Sequence, residues 1–214
     1  MPFRILTVCT GNICRSAQAE QLLRAGFAAA HTADAGWELP LISSAGTMAL
    51  VGEPMPEQAA ALSREHGGEP DGHRGRQLTA ELIGEADLVL ALAREHRAAV
   101  ARLLPRASRY VFTLREFARI LAAAPAVPVG SPLTVTATAT VTADQPIALV
   151  PSPPATADFP GWLAYAARNR GYHAGAADED DVIDPYGCAD EVYRVSIGQL
   201  TPAVATVVAA LTRW

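Results

Sequence analysis

The chain has 214 residues, half of them apolar, and a formal net charge of −5. That length and apolar content support a sizeable core, and the negative balance disfavours a nucleic-acid binder that works through bulk electrostatics. Three cysteines do not make a disulfide scaffold and point to a reducing, cytoplasmic compartment. The N-terminus runs straight into an apolar strand pattern with no secretory leader, and no uninterrupted apolar run reads as a bilayer span.

In chain order, residues 3–8 read as a buried strand, residues 9–15 as a loop and residues 16–30 as a helix. Residues 41–47 form a second strand that ends in a turn. A helix over 54–66 is stopped by Gly67-Gly68, and 73–78 is a short connector. Thr79 caps a short helix over 80–83. A buried strand follows at 86–92, a helix at 94–104, a strand at 108–114 and a helix at 115–123. Residues 188–213 read as a final helix whose interior Pro202 demands a kink or a late start. Alternation of strands and helices predicts an α/β fold of three layers, a mostly parallel four-stranded sheet with helices on both faces. Ligands in such sheets bind at the carboxyl ends of the strands, where the loop after strand one lies.

That loop, Cys9-Thr10-Gly11-Asn12-Ile13-Cys14-Arg15-Ser16, carries the chemistry. A strand-to-helix turn offers backbone N–H groups and the positive end of a helix dipole to an anion. Gly11 supplies the backbone freedom expected of an anion-cradling nest. A thiol at Cys9, facing a helix start and Arg15, gains thiolate character. Arg15 provides a planar fork for two phosphate oxygens. Ser16 can hydrogen-bond the Cys9 sulfur and assist its departure. Asn12 can hold a strained loop through side-chain hydrogen bonds. A thiolate, a cradle of N–H groups and a bidentate clamp are what phosphoryl transfer to cysteine requires. The second informative stretch is Asp184-Pro185-Tyr186-Gly187. An Asp carboxyl beside a bound phosphate can protonate a departing phenolate, Pro185 stiffens its loop, and Tyr186 can wall the cleft.

Val8 to Glu20 resembles the phosphate loop of the low-molecular-weight protein tyrosine phosphatases, with Ala17 where that family usually has Pro. Ser44-Ala45-Gly46-Thr47, Gly72-His73-Arg74 with Arg76-Gln77-Leu78, and Asp87-Leu88-Val89-Leu90 with Glu95-His96 are similar to further family blocks. The resemblance covers about residues 3–122 and 182–212. It implies Cys9, Arg15 and Asp184 as catalytic residues, with Thr10, Gly11, Asn12, Ile13, Cys14, Ser16 and Tyr186 around the phosphate and substrate. Ser44 would tie Asn12, and His73 would brace that network. It implies a phosphotyrosine protein as substrate, with no metal, cofactor, nucleic acid or membrane. Gly187 replaces a second aromatic, and Met48-Ala49-Leu50 lacks one, so the cleft wall is more aliphatic. Two cysteines in one loop allow a reversible Cys9–Cys14 disulfide. Cys188 reads as structural, and His31, His66, His96 and His173, whose spacing to the cysteines suggests no metal site, read as surface or structural residues.

The chain reads as one domain, 1–214, with an insertion at about 123–181. The insertion's prolines exclude one long helix. Within it, 134–142 alternates like an edge strand, Trp162–Arg168 reads as a helix, and Glu179-Asp180-Asp181 is an acidic run. The segment reads as an expanded surface loop, or as a lid or partner-docking segment. Two other functions fit the same scaffold. An arsenate reductase would need a relay of further cysteines, and no closely spaced pair follows residue 78. A non-catalytic phosphoprotein-binding module would not need Cys9, Arg15 and Asp184 together.

Overall fold

The computed structural model describes residues 2–32, 35–124, 159–173, 175, 176 and 178–212. Four strands, β1 (Arg4–Cys9), β2 (Leu41–Gly46), β3 (Leu88–Ala91) and β4 (Val111–Thr113), form a sheet of order β2-β1-β3-β4. Every pairing is parallel, and β1 lies at the centre with Val8 beside both Ala45 and Ala91. The helices are α1 (Arg15–Ala30), α2 (Glu57–Glu65), α3 (Ala80–Glu85), α4 (Arg94–Leu103), α5 (Leu114–Ala122), α6 (Phe159–Asn169) and α7 (Asp190–Leu211).

The period-two pattern of β1 divides the core. Ile5 and Cys9 join Leu88, Leu90 and Phe112 under α1, α5, α6 and α7. Leu6 and Val8 join Val89 and Val111 against Ile83 of α3 and Val100 of α4. Successive strand residues face opposite sides, so both faces of the sheet are buried and the strands read as nearly continuous apolar runs. Thr7 is the buried polar residue of β1. Its hydroxyl donates to the Ser16 carbonyl at 2.8 Å, tying the first turn of α1 to the strand.

Strand four is shorter than its sequence pattern. Residues Pro105–Arg109 form a 3₁₀ turn, and α5 starts at Leu114 because Thr113 and Glu116 close a capping box. The last helix does not start late. It runs from Asp190 through Pro202, and the carbonyl deprived of its partner, on Gly198, lies with Pro202 on the exposed side, open to solvent. This helix is long and apolar enough, by length and composition alone, to cross a membrane, but half of its most apolar window is buried inside the fold. It is therefore built as a core helix.

The insertion is not only a surface loop. Its α6 buries Phe159, Trp162, Tyr165 and Ala166 in the main core. Phe159 stacks on Phe3 at 4.7 Å between ring centroids. Beyond α6, Arg170 stacks on the Phe112 ring and pairs with Glu116 at 3.1 Å. The acidic run is held as well: Asp180 pairs with Arg119 at 2.7 Å and Asp181 with Arg94 at 3.0 Å. The alternating stretch 134–142 lies outside the described residues.

Candidate active site

Cys9 closes β1 and Arg15 opens α1, so the loop between them sits at the carboxyl end of the central strand. No side chain caps the start of α1, which leaves its first N–H groups directed at the loop. The left-handed residue of the loop is Asn12, with φ of +58°. Gly11 does not have that conformation, contrary to the expectation from sequence, and a Cβ there would meet only ordinary contacts. Asn tolerates the left-handed region better than most residues.

Asn12 is fully buried and bonded on every side. Its Nδ2 donates to Ser16 Oγ at 3.0 Å and Ser44 Oγ at 2.8 Å. Its Oδ1 accepts from the Arg76 N–H at 2.9 Å, and its carbonyl accepts from His73 Nε2 at 2.6 Å. Ser44 in turn donates to Glu20 Oε2 at 2.5 Å, and Arg24 pairs with Glu20 at 2.7 Å. Glu20 is a member of this network that the sequence reading left out. The network reaches Cys9 through Ser16, whose Oγ lies 2.9 Å from Cys9 Sγ. Since Ser16 Oγ accepts from Asn12, its proton is directed to the sulfur.

Arg15 is buried, and its NH2 donates to Asp184 Oδ2 at 2.5 Å. Its NH1 donates to the Val182 carbonyl at 3.2 Å, while among the described residues its buried Nε has no hydrogen-bond partner. A guanidinium N–H orphaned inside protein is costly unless a ligand acceptor meets it. Arg15 also donates to Thr10 Oγ1 at 3.4 Å, which sends the Thr10 hydroxyl proton to His96 Nε2, 2.9 Å away. His96 is buried, and burial, then the Arg15 charge, pushes it down to about 4. It is therefore a neutral acceptor at pH 7. Sequence spacing assigns His96 only a surface or structural role, because its partner is 86 positions away.

The Asp184 turn is built locally. Asp184 Oδ1 accepts from the Tyr186 N–H at 3.2 Å, and the Cys188 N–H donates to the Pro185 carbonyl at 3.0 Å. Gly187, at φ of +73°, makes that turn, a backbone an aromatic residue adopts only with strain. Cys188 is exposed on the same turn, its sulfur 3.8 Å from the Tyr186 carbonyl.

The three cysteines are free thiols. Burial, then the neighbouring Cys9 charge, pushes Cys14 up to about 12. Tyr193 of α7, hydrogen-bonded to Cys14, is also pushed up to about 12, chiefly by burial. Cys14 is thus a neutral packed thiol.

Cys9, Arg15 and Asp184 line one cavity of about 190 Å³, walled by Ile13, Met48, Leu50 and Tyr186. The β2 loop closes tightly on the phosphate loop because residue 46 is Gly; a Cβ there would fall 2.4 Å from the Thr10 carbonyl oxygen. The arrangement offers a sulfur nucleophile, an anion clamp and a carboxyl group around one opening.

Comparison with known proteins agrees with this geometry. A family model described as low molecular weight phosphotyrosine protein phosphatase matches residues 4–132. The low molecular weight protein-tyrosine-phosphatase Etp of Escherichia coli K12 is 42% identical over 101 residues, 47% of this chain. The chain spans 62% of that relative's length. The crystal structure of the Erwinia amylovora tyrosine phosphatase AmsI has a TM-score of 0.63 at 23% identity, over all of this chain and 95% of that one. YwlE, an arginine phosphatase from Geobacillus stearothermophilus, has a TM-score of 0.61 at 25% identity, over 98% of this chain and 93% of its own. The family model's match ends at residue 132, short of Asp184, which the fold brings to Arg15. By its matched residues and its sheet order the chain belongs to the low molecular weight phosphotyrosine protein phosphatase family.

Proposed function

We propose that this chain is a cysteine-dependent phosphomonoesterase that hydrolyses phosphotyrosine in proteins through a phosphocysteine intermediate. The observation that supports this most is the buried Arg15, its Nε unpartnered, set among Cys9, Thr10 and Asp184 around one cavity. A phosphate seated there takes Arg15 N–H groups and the N–H groups of residues 10–15 on its equatorial oxygens. Cys9 Sγ attacks phosphorus opposite the ester oxygen, forming the S–P bond as the P–O bond breaks. Asp184, protonated, gives its proton to the leaving phenolate. Asp184 then takes a proton from water, whose oxygen attacks phosphorus. The S–P bond breaks, inorganic phosphate leaves, and Ser16 Oγ stabilises the returning thiolate.

The cavity wall favours an aryl ester. Ile13, Met48 and Leu50 are aliphatic and Tyr186 offers a ring face, whereas a guanidinium leaving group carries N–H donors that want acceptors, and Asp184 is the only carboxylate in that lining. Free thiols support a reducing, cytoplasmic setting. Neither other function is favoured. Cys14 is bonded to Tyr193 and Cys188 is exposed on the acid's turn, a poor relay for arsenate reduction, and a pure binding module has no use for a carboxyl beside the clamp.

The test is turnover of a phosphotyrosine peptide, phosphoarginine, and arsenate with thioredoxin, side by side. Phosphate release from the peptide alone supports the proposal. Arsenate reduction without peptide turnover, or phosphoarginine turnover without it, overturns it.

A further inference from the structure

Among the described residues ten large hydrophobic side chains are exposed, and five of them, Met48, Leu50, Val51, Ile183 and Tyr186, belong to the two loops that bound the catalytic cavity. Met48 is 71% exposed, Val51 67% and Tyr186 57%. Scattered single hydrophobics need no explanation, but a cluster on the rim of a site marks recognition.

The first bank is rigid. The N–H groups of Thr47, Met48 and Leu50 donate to the carbonyls of Cys9, Thr10 and Gly11 at 2.9, 3.0 and 3.0 Å. Val51 then stands at the tip of a turn closed from the Glu53 N–H to the Leu50 carbonyl at 3.1 Å. This bank is a backbone extension of the loop over residues 9–15, so its main chain holds a fixed position relative to Cys9. The second bank is anchored too: the Ile183 N–H donates to Gln199 Oε1 at 2.9 Å, and the Ile183 carbonyl accepts from Ser196 Oγ at 3.0 Å.

Charge at the mouth points the same way. The only charged residues lining the cavity are Arg15, which is buried, and Asp184. Glu53 follows the Val51 tip, and the chain as a whole carries −5. Among the described residues, the lining of the cavity offers no exposed cation to an acidic residue beside a phosphotyrosine.

Resting on the phosphotyrosine reading, we infer that these two banks form a docking surface continuous with the catalytic cavity, and that its partner is a phosphotyrosine segment with large apolar residues on both sides. The phosphotyrosine ring fills the cavity and its neighbours lie on Met48 and Val51 on one bank and on Ile183 and Tyr186 on the other. Partial burial of one apolar side chain on such a surface is worth on the order of tenfold in kcat/KM.

The experiment measures kcat/KM for phosphotyrosine peptides flanked on both sides by Leu, Ser, Glu or Lys. Leu flanks should exceed Ser flanks by about tenfold, carried mostly in KM, with Glu flanks lowest. Val51→Lys should shrink the Leu-over-Ser ratio to less than about twofold, and Val51→Ile should keep it. Because the readout is a ratio within one protein, a general loss of activity does not imitate the result. Equal rates for Leu and Ser flanks, a preference for Lys or Glu flanks, or a ratio indifferent to Val51→Lys would overturn the inference while leaving phosphotyrosine hydrolysis intact. Turnover of none of the peptides would instead overturn the phosphotyrosine reading, and this inference with it.

Discussion

Asp184 Oδ2 lies 2.5 Å from Arg15 NH2, so the proposed proton donor rests on the group proposed to clamp phosphate. The two roles compete. A phosphate dianion must take Arg15 N–H groups that Asp184 now holds, and the carboxyl must turn to the leaving oxygen as a neutral acid. Its side chain is half exposed while Arg15 is buried, so the carboxyl is the partner able to move. Asp184→Asn removes the competing charge and the proton donor together. It should lower kcat by roughly 10²- to 10⁴-fold and tighten inhibition by inorganic phosphate. Steady-state kinetics with phosphate as product inhibitor reads both.

The Asn12 network is a stability element as well as a support for the loop. Asn12→Ala removes the Asn12 bonds to Ser16 Oγ and Ser44 Oγ, leaves the Arg76 N–H without its acceptor and places Ala at φ of +58°. The expected loss is about 2–4 kcal/mol. Ser44→Ala removes one link to Glu20 and should cost about 1–2 kcal/mol. Chemical denaturation of the two variants should show this order; equal midpoints would contradict it.

His96 gives the fold a pH dependence with a definite sign. Folded, it stays neutral down to about 4; unfolded, it titrates near its ordinary value of 6.5. Between those values the unfolded chain binds the extra proton, so stability falls as pH drops from 6.5 towards 4 and the His96 contribution levels off below that. Its full size is about 3 kcal/mol. The Tm of the wild type should therefore fall more between pH 7 and 4 than that of His96→Gln. Parallel curves would count against it.

Cys14 should behave differently from the exposed Cys188 towards alkylation. Cys14 remains a thiol up to about 12 and is packed against Tyr193, and the thiolate is the reactive form. Iodoacetamide at pH 8 should modify Cys188 in the native protein and Cys14 only after unfolding, which peptide mass spectrometry resolves.

Much of the site was legible because its groups are local. Cys9, Arg15 and Ser16 fall in one strand-to-helix turn, and the alternating elements placed that turn at the end of a parallel sheet. What escaped was non-local. Glu20 closes the resembling stretch 8–20, but its role shows only when Ser44, 24 residues on, folds against it. His96 gains meaning only when α4 starts beside Thr10. The strain in the loop falls on Asn12 and not Gly11, because the side-chain bonds of Asn12 hold a conformation that glycine freedom alone would not select. The core role of α6 was hidden by the prolines before it, although Phe159, Trp162 and Tyr165 already had the spacing of a buried helical face. Replacing Trp162 by Ala should cost about 3–5 kcal/mol, where a surface loop would lose almost nothing.

The most direct test of the central claim is hydrolysis of p-nitrophenyl phosphate from pH 5 to 8, with a metal chelator present, by the wild type, Cys9→Ser and Asp184→Asn. Chelator-resistant turnover is expected of the wild type, none of Cys9→Ser and a strongly reduced rate of Asp184→Asn. Turnover that survives Cys9→Ser at the wild-type rate would contradict it.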